Sequence, residues 1–490
     1  MLASSRMATG HFDLAAAARR EMIQDGFEPD FPPGTDEQIE ALKARENLPA
    51  EAGIRDLRDL LWSSIDNDTS RDLDQIEFAE RVDGGIRILI GIADVESAVP
   101  IGSPIDQHAG RETTSVYTPV RVFPMLPEAL STDLTSLAES ADRSGMVIEM
   151  VVGSDGSIVS SDIYPALVCN KAQLTYRGVG LWLEGRSGPD PKVSASPVLE
   201  AQLKLQDEAA TALRNQRSRL GALSFDRVEA ESQVHDGQVR DIRAAKKTRA
   251  NDLIEDFMVA ANETMARTLK RSGISSIRRV VKSPERWPRI VELAARYGEP
   301  LPEQADSAAL NGFLQKQKAA DPVHYADLSL AVMKLMGPGV FVMSRPGDTE
   351  NGHFGLAATD YTHSTAPNRR FADLVTQRLI KSVLARGKAP YSDDELAAIA
   401  RNCTLKEDAA RKVERAMGKR AAALAFHNRI GQSFDAVVTG ASAKGVFVRV
   451  LDPPVEGRLM RGEAGADVGD QVRVTLLNTD PERGYIDFGR

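Results

Sequence analysis

Several features that define other protein classes are scarce in this 490-residue chain. It has no run of about 18 apolar residues, so the sequence predicts no membrane-spanning helix. Its two cysteines, Cys169 and Cys403, are too few for a disulfide framework or a zinc site, which favours a reducing, cytoplasmic location. No G-x4-G-K-[ST] loop occurs, and we therefore expect no nucleotide cofactor. Residues 1–11 lack the long apolar run of a secretory signal.

Positive charge is also in deficit, although not evenly along the chain. Lys and Arg number 61 against 70 Asp and Glu, a net charge of −9, which argues against coating of nucleic acid by bulk charge. Residues 361–429 nevertheless contain fourteen Lys/Arg and only seven Asp/Glu. This region is therefore basic, as expected of a channel that binds a nucleic-acid backbone.

Strand-like and helix-like patterns are mixed along the chain, which predicts an α+β fold. The turn sequences at 83–85, 155–156 and 236–237 predict three hairpins, the third with its first strand over Leu223–Val234. Apolar periodicity predicts helices over 12–24, 36–45, 196–217, 251–271, 286–297, 306–318, 325–336, 369–386 and 394–427. Short alternating strands in the last 60 residues predict a small five-stranded all-β barrel. We therefore expect a helical segment over 1–50, a mixed α/β domain over 51–428 and the barrel over 429–490.

The acidic segment at residues 66–75 is the most informative stretch. Asp72 and Asp74 are two residues apart and point to one side of an extended chain, and Asp66 can join them if the intervening residues form a loop. Carboxylates held so close together repel one another unless a cation lies between them, and Mg²⁺ or Mn²⁺ prefers such oxygen ligands. Spacing alone leaves a second interpretation open, a solvated acidic turn.

Two adjacent arginines, Arg369 and Arg370, follow Pro367 close to a predicted helix start. Helix N-termini attract anions, and an arginine there can bind a phosphate and stabilise developing negative charge. The alternative is a surface arginine pair bonded to Asp373.

Together these segments resemble the RNase II/RNase R family of processive 3′→5′ exoribonucleases with an RNB catalytic domain. Residues 66–75 are similar to the family's D-x5-D-x-D-D metal motif, residues 123–128 to its Met-Leu-Pro segment, and residues 366–371 to its Ser-Pro-Ile-Arg-Lys/Arg-Tyr motif. The resemblance covers about residues 50–428. It implies metal-dependent hydrolysis of single-stranded RNA to nucleoside 5′-monophosphates, with Mg²⁺ as the metal and Mn²⁺ as the alternative.

The resemblance also implies roles for individual residues. Asp66, Asp72 and Asp74 match metal-site aspartates, of which Asp72 and Asp74 are expected to be catalytic, and Arg369 matches the arginine that contacts the scissile phosphate. Tyr117 matches the tyrosine that stacks on the 3′-terminal nucleotide. The remaining matches, all expected to contact or flank RNA, are Arg370, Glu414 and Tyr176.

One departure affects the metal motif itself. The fourth aspartate of the motif is Gln75 here, whose amide oxygen can ligate Mg²⁺ but brings no charge. Weaker binding of one metal is expected, for which Asp68 or Glu77 are the candidates to compensate. The alternative function is a catalytically impaired RNA-binding or regulatory protein.

The two ends of the chain carry further expectations. Residues 430–490 resemble an S1-type RNA-binding domain of the OB fold, with Phe434, Lys444 and Phe447 as candidate RNA contacts. The roughly fifty N-terminal residues are too few for the two cold-shock barrels that bacterial members usually carry before the catalytic domain. We expect a solvated helical extension there, with a helix-turn-helix-like cap as the alternative. The protein is expected to be a monomer.

Overall fold

The computed structural model describes residues 12–44, 53–226, 229–235, 238–245, 247–322, 324–349, 352–442 and 445–490. The helices in these ranges are α1 Leu14–Gln24, α2 Thr35–Lys43, α3 Pro104–Glu112, α4 Tyr176–Leu183, α5 Pro191–Ser194, α6 Pro197–Arg219, α7 Arg249–Arg271, α8 Trp287–Arg296, α9 Ser307–Ala320, α10 Tyr325–Met336, α11 Phe371–Leu384 and α12 Asp393–Phe426. None of the helices in the described ranges is both long and apolar enough to cross a membrane.

The strands of the first part of the chain are β1 Arg55–Asp56, β2 Trp62–Asp66, β3 Gln75–Val82, β4 Gly85–Ala93, β5 Val116–Tyr117, β6 Val122–Phe123, β7 Asp142–Val152, β8 Ile158–Thr175, β9 Glu229–His235, β10 Gln238–Ala245, β11 Ser276–Val280 and β12 Val340–Ser344. The C-terminal strands are β13 Ser433–Ser442, β14 Gly445–Val450, β15 Glu456–Arg461, β16 Gln471–Asp480 and β17 Tyr485–Gly489. Helices and strands are thus mixed throughout, which confirms the predicted α+β fold.

The main sheet curls round because β8 is 18 residues long and changes partner along its length. Its first part pairs with β7 and its last six residues pair with β2, while β3 and β4 complete the order β1-β8-β2-β3-β4-β7. The end of β2, the end of β8 and the start of β3 therefore meet at one edge, where Asp66 lies opposite Thr175. This edge positions the acidic segment, which connects β2 to β3.

The turn between β3 and β4 shows why its sequence requires glycine. Gly84 has φ +90°, and a Cβ on Gly85 would lie 2.1 Å from the carbonyl oxygen of Val152 in β7. Only glycine adopts the first conformation without strain and permits the second approach. The predicted hairpin at 83–85 is therefore confirmed, and its turn also brings β4 against β7.

Two long helices, α6 and α7, pack together over the main sheet. Helix α6 packs on β3 and β4, and α7 packs on α6 and α11. Thr248 and Asn251 form a capping box that fixes the start of α7, where side chain and backbone satisfy each other's donors. The apolar stripe of α7 (Leu253, Ile254, Phe257 and Ala261) is buried in the main core with Trp62 and Ile65.

The N-terminal helix α1 differs from the expectation of a solvated extension. Its apolar side, with Leu14, Ala18 and Met22, is buried against Val413 and Met417 of α12. Val116 and Phe123 of the β5–β6 hairpin belong to the same cluster. The expectation was wrong because the small alanine side chains on the apolar side of α1 allow the helix to pack closely against α12, which the sequence of α1 alone does not show.

The last five strands close into a barrel in the order β13-β14-β15-β17-β16, which confirms the predicted barrel. Its core continues into α12 through Ala423 and Phe426. The third hairpin is confirmed only in part, because β9 begins at Glu229 and residues 222–226 form no strand. Leu223 and Phe225 instead pack against the cluster formed by α8, α9 and α10, a tertiary contact that the local pattern did not reveal.

Candidate active site

The acidic segment is held in place by the chain around residue 136. The Oγ of Ser136 donates a hydrogen bond to the carbonyl of Arg71 (2.6 Å) and accepts one from the amide of Leu73 (3.1 Å). The amide of Leu137 donates to the carbonyl of Leu73 (2.9 Å). The segment is therefore fixed at its C-terminal half, and Asp72 and Asp74 emerge from a braced backbone.

Asp74 is the most buried of the predicted metal ligands, with 1% of its surface exposed. Its two carboxylate oxygens accept hydrogen bonds from the backbone amide of Asn368 (3.1 Å) and from Nε of Arg369 (3.2 Å). Burial raises the pKa of Asp74 to about 7, although the charge of Arg369 opposes the shift. Residues nearly 300 positions apart in the chain thus meet at one carboxylate.

The arginine motif joins this site through backbone pairing with the segment before β5. The amide of Ser115 donates to the carbonyl of Arg369 (3.0 Å), and the amide of Phe371 donates to the carbonyl of Thr113 (2.8 Å). Helix α11 starts only at Phe371, two residues later than the predicted start at 369. Arg369, in a turn, and Arg370, in an extended conformation, therefore precede the helix and point to different places.

The two arginines have different partners. Arg370 makes a bidentate contact with the buried carboxylate of Asp373, at 2.9 Å from Nε and 2.6 Å from Nη2, as the alternative interpretation expected of the pair. Arg369 contacts Asp74 through Nε, and its side chain is 44% exposed. A guanidinium with one side on a carboxylate and the other open to solvent is available to an anionic ligand.

Tyr117 contacts both Asp72 and Glu414 of the predicted site residues, and its role towards RNA stays a prediction. The hydroxyl of Tyr117 donates to Oδ2 of Asp72 (3.3 Å), and its backbone amide donates to Oε1 of Glu414 in α12 (3.0 Å). Burial raises the pKa of Glu414. The tyrosine is 40% exposed, so a ring face is open for stacking while both ends of the residue are anchored.

A cavity of about 260 Å³ opens beside Gln75, Tyr176, Arg369 and Arg370. Its opposite wall is α7, which contributes Asn251, Glu255, Met258 and Asn262, and none of these was predicted as a site residue. Asn262 is 3% exposed and accepts hydrogen bonds from the amide (2.8 Å) and Oγ (2.7 Å) of Ser364. The signal was present in the sequence, because positions 251, 255, 258 and 262 follow helical spacing along one face.

A divalent metal ion is the cofactor that the acidic segment predicts. Across the described ranges, no group of three or more His, Cys, Asp or Glu side chains is spaced to hold a metal ion. Asp66 instead accepts from Asn67 and Ser70, Asp72 from Tyr117, and Asp74 from Arg369. The chemistry of the donors still fits a hard cation, because Asp74 is desolvated and both oxygens of the buried Glu77 lack a hydrogen-bond partner among the described residues. The ligand set of Asp66, Asp72, Asp74 and Gln75 therefore stays a prediction.

The two histidines that flank the arginine motif are neutral. Burial lowers the pKa of His353 to about 4 and lowers that of His363 well below its usual value. The Nδ1 of His353 accepts from the amide of Leu356 (3.1 Å), which is a structural role. Neither is placed as an acid or base at neutral pH.

The barrel residues lie in two different settings. Phe434 is half-buried, with its ring 5.4 Å from that of Phe426 in α12, so it joins barrel and helix. Phe447 is half-buried on β14, opposite Arg458 of β15. Lys444 lies outside the described residues. The contacts of these residues with RNA stay predictions, and the packing of Phe434 shows its structural function.

Comparison with known protein families gives a match over most of the chain. The profile described as the RNB domain matches residues 54–386, and that of the RNase II-type exonuclease C-terminal S1 domain matches residues 432–490. The chain belongs to the RNB-domain family. The acidic segment, Tyr117 and the arginine motif all lie inside the RNB domain, and the barrel is its S1 domain.

Curated relatives carry the name ribonuclease R. The protein of Thermotoga maritima is 31% identical over an alignment of 495 positions that covers 94% of this chain and 68% of that protein. The protein of Escherichia coli is 30% identical over an alignment of 504 positions that covers 94% of this chain and 60% of that protein. The chain thus spans about three fifths to two thirds of the length of such relatives.

Solved structures show the same fold. The RNase R of Mycoplasma genitalium, solved with ribose-methylated single-stranded RNA, superimposes with a TM-score of 0.87 at 23% identity, covering 98% of this chain and 78% of that one. Yeast Ssd1, described as a pseudonuclease, gives a TM-score of 0.72 at 18% identity, covering 91% and 56%. The fold is therefore shared by at least one protein described as an RNase and one described as a pseudonuclease.

Proposed function

We propose that this protein is a metal-dependent exoribonuclease that processively hydrolyses single-stranded RNA from its 3′ end to nucleoside 5′-monophosphates. The observation that carries the proposal is that Tyr117 contacts Asp72 while Arg369, which lines the cavity, contacts Asp74 two residues further along the same segment. Family membership and relatives named ribonuclease R support it. A cytoplasmic location and a monomeric state are part of the proposal.

In this proposal Tyr117 binds the RNA and Arg369 stabilises negative charge on the phosphate. The exposed ring face of Tyr117 stacks on a base at the 3′ end, a contact that tolerates any base. The free side of the Arg369 guanidinium binds the scissile phosphate and stabilises the negative charge that builds up on it. Arg370, tied to Asp373, keeps the backbone of the motif in place.

Mg²⁺ is the proposed metal, with Mn²⁺ as a substitute, held by Asp66, Asp72, Asp74 and Gln75. Such an ion lowers the pKa of a bound water and stabilises the leaving oxygen in phosphoryl transfer. In the overall reaction the water oxygen adds to phosphorus and the P–O3′ bond breaks. The products are a nucleoside 5′-monophosphate and a new 3′-hydroxyl end.

The proposal is tested with a 5′-labelled oligoribonucleotide, with Mg²⁺ and with EDTA. We expect progressive shortening from the 3′ end only with Mg²⁺, and chromatography should identify nucleoside 5′-monophosphates. Internal fragments, products with 3′-phosphates, or equal shortening in EDTA would each overturn it.

A catalytically impaired RNA-binding protein is the second candidate. Gln75 favours it, because this position brings no charge to the metal set, and the shared fold of a pseudonuclease shows that the architecture does not require activity. This candidate predicts RNA binding without shortening at any Mg²⁺ concentration.

A further inference from the structure

Residues 12–31, the N-terminal segment, lie outside both family profiles, which match residues 54–386 and 432–490. The segment contains α1 and the turn that follows it. The apolar side chains that it buries, each at most 4% exposed, are Leu14, Ala17, Ala18, Met22 and Phe27. The segment is therefore a packed part of the molecule to which the profile matches assign no function.

The buried side of the N-terminal segment reaches the hairpin that carries Tyr117. Val116 precedes Tyr117 on β5, and Phe123 is its cross-strand partner on β6; both belong to the same buried cluster as α1. Val116 is 0% exposed while Tyr117 is 40% exposed, because successive side chains of a strand point to opposite faces. The packing of Val116 therefore determines the direction in which the ring of Tyr117 faces.

Helix α12 joins the N-terminal segment to a second anchor of Tyr117. Val413 of α12 packs in the cluster of α1, and Arg420 forms an ion pair with Glu21 of α1 (2.8 Å). Glu414, the residue after Val413, accepts the hydrogen bond from the backbone amide of Tyr117 (3.0 Å). The position of α12 against α1 thus also sets the position of this hydrogen-bond acceptor.

The turn after α1 holds the chain that leads into the hairpin. Glu112 is 4% exposed, accepts a hydrogen bond from the amide of Glu28 (3.0 Å) and forms an ion pair with Lys406 of α12 (3.4 Å). The Nζ of Lys406 also donates to the carbonyl of Gly26 (2.6 Å). The residues that follow Glu112 pair with the backbone of the arginine motif. The N-terminal segment is therefore tied to the chain on both sides of Tyr117.

We propose that the N-terminal segment is a positioning element for Tyr117, because its packing fixes the ring in the orientation that stacks on the 3′-terminal base. The proposal rests on the proposed function, since it concerns the tyrosine that binds the RNA end there. No residue of the segment needs to touch RNA for this effect. The segment should therefore influence RNA binding only while the ring of Tyr117 is present.

The test is a double-mutant cycle on the full chain, with binding of a short single-stranded RNA measured by fluorescence anisotropy in EDTA. M22D places a carboxylate in the buried cluster and displaces α1, so it should weaken binding about tenfold. In the Y117A background, M22D should change binding by less than about twofold. The matched control is I23D, which adds the same charge at the next residue of α1, 55% exposed, and should bind RNA as the wild type does.

Stacking itself is measured with RNA that carries 2-aminopurine at its 3′ end, because stacking quenches the fluorescence of this base. At saturating RNA, M22D should show less quenching than the wild type, and circular dichroism checks that both proteins are folded. If M22D does not fold, K406M is the second variant. It keeps the apolar cluster, removes the contacts of Lys406 with Gly26 and Glu112, and should also reduce the quenching.

The outcomes separate this proposal from the proposed function. If M22D weakens binding equally with and without the Tyr117 ring, or leaves affinity and quenching unchanged, the N-terminal segment does not position Tyr117 and the exonuclease proposal stands. If Y117A itself leaves affinity and quenching unchanged, the role of Tyr117 in the proposed function fails, and this proposal fails with it.

Discussion

The candidate active site and the C-terminal barrel are built from different kinds of contact. In the candidate active site, Asp74 is held by residues nearly 300 positions away, and Tyr117 by Glu414 on α12. In the barrel, the strands are local in sequence and Phe434 serves packing. The candidate active site therefore depends on a few charged groups that are far apart in the chain and close in space. In the barrel, each surface residue is expected to contribute only a little to RNA binding. Substitutions in the candidate active site should therefore have large, specific effects, and those on the barrel surface small, graded ones.

The largest effect is expected for D74N. This substitution keeps the volume but removes the charge at the most buried of the predicted ligands, so the rate of 3′ shortening should fall by about 10³-fold. Single-turnover assays at saturating Mg²⁺ measure it, with D59N as the control, because Asp59 is exposed and lies outside the acidic segment. Equal rates for D74N and D59N would show that Asp74 is not part of the site.

The two arginines should differ in how strongly they affect rate and stability. R369A should slow shortening by about 10²-fold, and because it removes the Nε contact to the buried Asp74 it should also lower the free energy of unfolding, but by less than R370A does, since Arg369 makes a single contact and its side chain is 44% exposed. R370A leaves the fully buried carboxylate of Asp373 unpaired and should lower the free energy of unfolding by about 3–5 kcal/mol. Denaturation curves and single-turnover rates for both variants check this. Loss of stability in R369A and not in R370A would contradict the assignment.

Tyr117 is expected to have an intermediate effect. Removing the ring in Y117A should weaken binding of single-stranded RNA by about 1–3 kcal/mol, the usual value of one stacked base. Y117F keeps the ring and loses only the 3.3 Å hydrogen bond to Asp72, so it should cost no more than about 1.5 kcal/mol. Fluorescence anisotropy in EDTA measures both. Equal losses would show that the hydroxyl, and not stacking, carries the contact.

The raised pKa of Asp74 predicts a pH dependence in metal-free protein. Because its pKa is about 7 when folded and about 4 when unfolded, the folded chain binds this proton more tightly. Its contribution to stability is full below the unfolded pKa and is lost as pH rises through 7. The free energy of unfolding of the wild type, relative to D74N, should fall by up to about 1.4 kcal/mol per pH unit between pH 5 and 7 and level off above. A difference that does not change with pH would show that Arg369 keeps the carboxylate ionised.

The smallest effect is expected in the barrel. F447A should weaken RNA binding only a few-fold, because a single half-buried ring offers a limited surface for stacking. F434A should instead lower stability, because its ring packs on Phe426 and Phe488. If F447A weakened binding as much as Y117A, the contrast between the candidate active site and the barrel would not hold.

Much of the fold and part of the site could be predicted from the sequence. The hairpin at 83–85, the long helices and the barrel follow from local turn chemistry and periodicity. Tyr117, Glu414 and Arg369 were found through motifs. The packing of α1 on α12 and the position of Asn251 and Asn262 in the cavity wall depend on which surfaces meet in three dimensions. Glu77 was visible as an acidic residue, but only burial shows that it lacks a partner.

The most direct test of the account compares the wild type with Q75D in 3′ shortening of single-stranded RNA at saturating Mg²⁺. The account predicts that the wild type is active and that Q75D changes its rate by less than about tenfold, because the site already carries sufficient charge. A wild type that binds RNA without shortening it, together with activity that appears only in Q75D, would contradict it.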